Sequence, residues 1–186
     1  MGMKKIILAA LVVCAMFVVN ASNINWGMMN GKTLDTTQIG ASGTIYLVWA
    51  TDNTSFALAS NWTGQSKFSE ATIADAAGFG GIVHSAAYSE GFFSATGASF
   101  NQADVGNVAA GTNVYLYQIF IDETGENIAV STVKTVKPND NSSTSLTARW
   151  NNTNFTYYAA ASVPEPTSSL MLLLGASLLG LRRRRA

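Results

Sequence analysis

Cysteine and histidine are almost absent from this chain of 186 residues, which has one of each, Cys14 and His84. Cys14 lies in an apolar run near the amino terminus, so residues 22–162 contain no thiol and can form neither a disulfide nor a thiolate metal site. The common zinc sites need about three or four nitrogen or sulfur ligands, which one histidine does not supply. No Gly-x-Ser-x-Gly element is present, so a nucleophilic hydrolase site is not indicated either. We interpret His84 as a surface or half-buried polar residue and predict no metal and no cofactor.

Charged residues are also scarce, at 12% of the chain, and the formal net charge of zero hides an uneven distribution. The basic residues Lys4, Lys5 and Arg182–Arg185 all lie near the two ends, whereas residues 22–163 hold five basic and ten acidic residues. A body with an excess of negative charge repels phosphate backbones, so nucleic-acid binding is not expected.

The first residues have the pattern of a secretory signal peptide. Met1–Lys5 is short and basic, Ile6–Val19 is apolar, and Val19-Asn20-Ala21 offers a cleavage site after Ala21. As a helix the apolar run is roughly 21 Å long at about 1.5 Å per residue, which is shorter than the ~30 Å hydrocarbon layer of a bilayer. We therefore expect signal peptidase to remove residues 1–21.

The last residues form three consecutive elements, namely Val163-Pro164-Glu165-Pro166, the uncharged apolar run of residues 167–181, and four arginines. Two prolines fix the backbone and remove amide donors, so the fold is expected to end before them. Arginines at one end of an apolar helix stay on the cytoplasmic side of a membrane, which places the body outside the inner membrane. The predicted division is thus a signal peptide at 1–21, one domain at 22–162, and a sorting segment at 163–186.

This order of elements resembles the PEP-CTERM sorting signal of Gram-negative bacteria. The resemblance implies processing by an exosortase, an intramembrane cysteine transpeptidase-like enzyme, and export with exopolysaccharide to the cell surface or a biofilm matrix. It also implies that residues 167–181 are a transient inner-membrane anchor. The recognition element and the retention stop that it implies are Val163, Pro164, Glu165 and Pro166, followed by Arg182, Arg183, Arg184 and Arg185. The resemblance does not extend to residues 22–162.

The body has the composition of an all-β protein, because Asn, Ser and Thr make up roughly a third of it and aromatic residues are frequent. Thr44–Ala50 has apolar residues on both faces, which predicts a central strand. Val114–Ile121 and Asn127–Val133 predict a hairpin whose turn contains Gly125. Shorter candidate strands are Ser55–Leu58, Ser89–Ala95, Ser145–Trp150 and Asn154–Ala160, and Ser69–Ala77 is the one candidate helix, ended by Gly78-Phe79-Gly80-Gly81. We predict a single β-sandwich, jelly-roll or Ig-like, with one short helix.

Aromatic residues next to amides offer the clearest candidate binding site. Aromatic faces stack on the C–H surfaces of sugars, and neighbouring Asn side chains can bond the hydroxyl groups. Asn61-Trp62 and Trp150-Asn151 fit this pairing, with Trp26, Tyr157 and Tyr158 as further aromatic candidates. The alternative is that the rings fill the core of the sandwich. Another open alternative concerns the acidic hairpin turn, where Asp122, Glu123 and Glu126 could hold calcium or simply be solvated.

These patterns favour a non-enzymatic, exported surface or matrix protein over two alternatives. The first is a carbohydrate-binding module that uses Trp62 and Trp150. The second is a secreted glycoside hydrolase, which needs paired carboxylates such as those of Glu70, Glu90 or Glu126. Self-assembly through an exposed strand edge is a further way to build a matrix. The expected partners are signal peptidase, exosortase, the inner membrane and exopolysaccharide.

Overall fold

The computed structural model describes residues 22–50, 52–53, 58–109, 111–138 and 145–162. The predicted signal peptide, the sorting segment and the four arginines lie outside these residues. Nine strands, two short α-helices and three 3-10 helices are present in the described part of the chain. The strands are β1 (Ser22–Met28), β2 (Ser42–Ala50), β3 (Phe79–Ser89), β4 (Ser94–Phe100), β5 (Val114–Asp122), β6 (Asn127–Ser131), β7 (Lys134–Val136), β8 (Ser145–Trp150) and β9 (Phe155–Ala159). The α-helices are α1 (Thr36–Ile39) and α2 (Glu70–Ala74), and the 3-10 helices are Ala59–Asn61, Gln102–Val105 and Asn152–Asn154.

The strands form two sheets. The large sheet has the order β3-β2-β5-β6-β9, with β7 also pairing with β5, and the small sheet has the order β4-β1-β8. All pairs are antiparallel except β1 and β8, which run parallel. The prediction of an all-β fold is confirmed, while its jelly-roll or Ig-like topology stays a prediction. Among the described residues, no helix is both long enough and apolar enough to span a membrane.

The first hydrophobic core lies between the two sheets. Alternate residues of β1, namely Ile24, Trp26 and Met28, are buried against residues of the large sheet such as Leu47 and Phe120. Because successive side chains of a strand point to opposite faces, Asn23, Asn25 and Gly27 of β1 lie on the outer face of the small sheet. The small sheet therefore has one apolar and one polar face.

The second core covers the opposite face of the large sheet. Val48 and Ile119 lie on this face and pack with Trp62, Phe68 and Ile73, which come from the segment that includes α2. Both faces of β2 are therefore covered, and β2 lies between β3 and β5. This confirms the interpretation of Thr44–Ala50 as a central strand.

The predicted hairpin is also confirmed, because β5 and β6 are adjacent and antiparallel and Gly125 has a φ of 71° in the turn. The predicted helix begins as expected, since Ser69 caps α2 and forms a capping box with Thr72. It ends at Ala74 rather than Ala77. Phe79, expected to follow the helix as part of its end, instead starts β3.

Several elements were not predicted. These are β1, β3, β7, most of β4 and α1. The prediction of a strand over Ser89–Ala95 is wrong, because Glu90 and Gly91 have positive φ values of 52° and 65° and form the turn between β3 and β4. Ser55–Leu58 lies mostly outside the described residues. β3 was not predicted because it includes Gly80 and Gly81, and glycine is a weak strand former.

Candidate functional site

Trp62 and Asn61 are parts of the second core rather than a surface site. The Trp62 side chain is 0% exposed and packs in the cluster that covers the large sheet. The Asn61 amide connects to the end of the α2 segment, since its Oδ1 accepts a hydrogen bond of 3.0 Å from the Ala77 backbone N–H. In this structure neither side chain presents a surface to a glycan, so the predicted contact is corrected to a structural role.

Trp150 and Asn151 have a similar position in the first core. The Trp150 ring is 0% exposed, and its Nε1 donates a hydrogen bond of 2.7 Å to the carbonyl oxygen of Thr132. The backbone N–H of Asn151 donates to Oδ1 of Asn154 at 3.0 Å, which fixes the turn before β9. The stacking face predicted for Trp150 is therefore also inside the protein.

The other aromatic candidates differ in exposure. Trp26 is 2% exposed and packs against Phe93 with a centroid distance of 4.6 Å. Tyr157 and Tyr158 are half-buried on the edge strand β9, beside a small cavity of about 270 Å³ that Gln38 and Asn127 also line. The Tyr157 hydroxyl accepts a hydrogen bond of 3.1 Å from the Asp35 backbone N–H.

His84 and Asp122, considered for catalysis and for metal binding, have structural partners. His84 is half-buried, as predicted, and its Nε2 forms a hydrogen bond with the carbonyl oxygen of Ser99, which links β3 of the large sheet to β4 of the small sheet. The Asp122 carboxylate accepts hydrogen bonds from Thr124 Oγ1, the Glu126 backbone N–H and Asn127 Nδ2 at 3.0, 2.9 and 2.7 Å. These bonds organise the hairpin turn. Across the described ranges, no group of three or more His, Cys, Asp or Glu residues could hold a metal ion.

The three glutamates considered for hydrolysis lie on separate elements. Glu70 is the first residue of α2, Glu90 lies in the turn after β3, and Glu126 lies in the turn after β5. All three are exposed, so the structure places none of them in a buried pocket.

A groove on the outer face of the small sheet was not predicted. Its volume is about 600 Å³, and it is lined by Met29, Asn30, Ser94, Thr96, Thr147 and Arg149. At its centre Gly27 of β1 pairs with Ser94 of β4 on one side and with Arg149 of β8 on the other. A Cβ atom at Gly27 would lie 2.3 Å from the carbonyl oxygen of Phe93, so this position requires glycine.

The Arg149 side chain crosses Gly27 to reach the opposite strand. Its Nη1 donates to Ser94 Oγ at 2.6 Å and to the Met28 carbonyl oxygen at 3.3 Å, and its Nη2 donates to the Ala95 carbonyl oxygen at 3.5 Å. All three acceptors are uncharged. Within the part of the chain that the structure describes, no carboxylate forms an ion pair with Arg149.

Sequence reasoning missed this groove because its residues come from three strands that are far apart in the chain. One signal was present, since Arg149 is the single arginine of residues 22–163 and follows Thr147 at the spacing that places both on one face of a strand. The parallel pairing of β8 with β1, which brings that face beside Gly27, is not visible in local patterns.

The described domain ends next to the sorting segment. After β9, the Ala160 backbone N–H donates to the Glu126 carbonyl oxygen and the Ala161 backbone N–H to the Gln65 carbonyl oxygen, each at 2.7 Å. These bonds hold the chain against the domain up to Ala161. Val163–Pro166, residues 167–181 and Arg182–Arg185 follow, outside the described residues.

Comparison with known protein families identifies the end of the chain. The family model of the PEP-CTERM protein-sorting motif matches residues 162–186. Neither curated proteins nor solved structures give a match to the chain. The carboxy-terminal segment is therefore a PEP-CTERM protein-sorting motif, which implies an exported protein that is processed by an exosortase.

Proposed function

We propose that this chain is a non-enzymatic structural protein of the cell surface or exopolysaccharide matrix of a Gram-negative bacterium. In this proposal signal peptidase removes residues 1–21 during export. Residues 167–181 then hold the precursor in the inner membrane, and exosortase processes it at or near Val163–Pro166. The observation that carries the proposal is the PEP-CTERM motif at residues 162–186, placed directly after the last strand of a folded domain.

The domain itself supports a structural role through its packing. Two hydrophobic cores share the large sheet, the His84 ring forms a bond between the two sheets, and the Asp122 carboxylate organises the hairpin turn. A second candidate, carbohydrate recognition, is supported by the outer groove of the small sheet rather than by Trp62 or Trp150.

The processing step can be tested with the full chain in a host that has an exosortase and in the same host without it. We expect the exosortase-positive host to yield a surface or released form that lacks Arg182–Arg185, as measured by fractionation and mass spectrometry of the carboxy terminus. In the host without exosortase, the intact sorting segment should stay in the membrane fraction.

A matched pair of variants separates the motif from general effects of charge. Glu165→Ala should cause the precursor to accumulate, whereas Glu126→Ala, which removes the same charge from the hairpin turn, should be processed like the original chain. Equal processing of the original chain and Glu165→Ala would contradict the role of the Pro-Glu-Pro element. A matrix role further requires that the mature protein co-purify with exopolysaccharide, and recovery from polysaccharide-free medium alone would oppose it.

A further inference from the structure

We propose that the groove on the outer face of the small sheet is a binding site for sugars that carry a carboxylate, with Arg149 as the group that binds the carboxylate. The inference goes beyond export and processing, and its test does not depend on them. It rests on the charge of Arg149, on how that charge is held, and on the polar groups that surround it.

The first argument concerns the hydrogen bonds and the charge of the Arg149 guanidinium. Arg149 donates three hydrogen bonds, all of them to neutral oxygens, and no carboxylate in the described ranges pairs with it. Its five N–H donors exceed these three bonds. The side chain is thus fixed in position while no described carboxylate compensates its positive charge, which is the arrangement that prepares a site for an anion at low entropic cost.

The second argument is the shape and lining of the groove. A volume of about 600 Å³ falls within the range of roughly 300–1,000 Å³ typical of small-ligand sites. Beside Arg149 the groove presents the hydroxyl groups of Ser94, Thr96 and Thr147 and the amide of Asn30. These groups can both donate and accept hydrogen bonds, as sugar hydroxyl groups require.

These two arguments together select the class of ligand. A guanidinium matches the planar geometry of a carboxylate with two parallel hydrogen bonds, and the neutral hydroxyl lining matches the rest of a sugar ring. A phosphate is less suited, because its charge of up to two is best matched by more than one cation and Arg149 is the one charged residue among the described residues that line the groove. A uronic acid unit within a polysaccharide satisfies both requirements.

The test uses the full chain in non-ionic detergent, with Arg182–Arg185 replaced by glutamine because four adjacent cations would themselves attract an anionic sugar. Calorimetric titration with tri-galacturonate should give saturable binding. Galactotriose, which lacks the carboxylates, and inorganic phosphate should bind at least about tenfold more weakly, the effect expected for one charge-assisted contact.

Variants identify the groove as the location. Arg149→Gln should weaken tri-galacturonate binding about tenfold or more, and Arg149→Lys should give a smaller loss because it keeps the charge without the planar fork. Thr147→Val removes an exposed groove hydroxyl without changing side-chain volume and should also weaken binding. Lys67→Gln removes one positive charge on the opposite side of the large sheet and should bind like the unchanged protein.

The proposal is overturned if tri-galacturonate shows no saturable binding, or if galactotriose binds equally well. Equal binding of phosphate would also overturn it, since the groove would then be a general anion site. Circular dichroism and thermal unfolding check that each variant folds. If Arg149→Gln does not fold, Thr147→Val decides the matter, and unchanged affinity in that folded variant rejects the groove.

Discussion

A buried side-chain amide in the first core allows the cost of an unsatisfied polar group to be measured. Gln118 of β5 is 0% exposed, and it lies beside Leu47 on the neighbouring strand β2. Its backbone N–H donates to Ser131 Oγ at 2.8 Å. Its side-chain Oε1 and Nε2 are buried, and neither has a hydrogen-bond partner within the described part of the chain. The amide therefore loses its hydration on folding and regains no bond.

The cost of such a group sets the size of the expected effect. Mutational data place the burial of an unsatisfied amide at about 1–3 kcal/mol, and methionine has a similar length and no group that requires hydrogen bonds. We expect Gln118→Met to raise the free energy of unfolding by about 1–3 kcal/mol. In a domain of this size each kcal/mol corresponds to a rise of roughly 2–4 °C in the melting temperature.

The measurement is equilibrium unfolding in urea, with the dependence of stability on urea concentration compared between variants. An unchanged dependence shows that the stability of the native state, and not the compactness of the unfolded state, has changed. Gln118→Glu is the control, since it keeps the shape but buries a charge and should be strongly destabilising. A Gln118→Met variant that is equally stable or less stable would refute the reasoning, because the amide must then have a partner such as an internal water molecule.

Three further predictions concern stability. Trp62→Ala and Trp150→Ala should each lower the free energy of unfolding by about 3–5 kcal/mol in the same urea assay, whereas unchanged stability would indicate surface rings. Burial raises the pKa of Tyr117 to about 12. The stability that the neutral phenol contributes is therefore complete below the unfolded pKa of about 10 and is lost as the pH rises through the folded value. In urea titrations at increasing alkaline pH, the free energy of unfolding should decline less in Tyr117→Phe than in the unchanged protein. Gly80→Ala should cost about 1–3 kcal/mol, because a Cβ atom there would lie 2.5 Å from the Trp49 ring, and thermal unfolding with no loss would show that the ring moves aside freely.

The sequence predicts the strands whose own side chains form the cores. β2 and β5 carry runs of β-branched and aromatic residues that are buried on both faces, and this pattern indicates a central strand without any tertiary information. The hairpin follows from the same pattern together with Gly125. Local chemistry also explains the start of α2, where Ser69 and Thr72 form the capping box.

The strands that were missed depend on residues elsewhere in the chain. β3 contains Gly80 and Gly81, which are poor strand formers. A Cβ atom at Gly80 would overlap the ring of Trp49, a residue of the neighbouring strand β2. Glycine at position 80 is thus explained by its tertiary contact with Trp49, and local strand propensity takes no account of such contacts.

The candidate site also shows that local sequence patterns do not reveal which residues are buried or meet across the fold. An aromatic residue followed or preceded by asparagine has the same local pattern on a surface as in a core, and Trp62 and Trp150 prove to be fully buried. Asn61 is explained by its bond to the Ala77 backbone, a contact across sixteen positions of the chain. Conversely, the sequence around Arg149 does not show that this residue lines a groove, and only the pairing of β8 with β1 and of β1 with β4 places it across Gly27.

The short connection between the domain and the sorting segment has a consequence for processing. Ala161 is still bonded to Gln65, and Ser162 directly precedes Val163. A fully extended chain advances at most about 3.6 Å per residue, so the first residue of the apolar run, Thr167, lies no more than roughly 18 Å from Ser162. If residues 167–181 are in the membrane as proposed, an exosortase must reach Pro164–Pro166 in the narrow space between membrane and folded domain. A flexible insertion after Ser162 should therefore speed processing, and an unchanged rate would mean that the domain end unfolds locally or that the enzyme needs no more space.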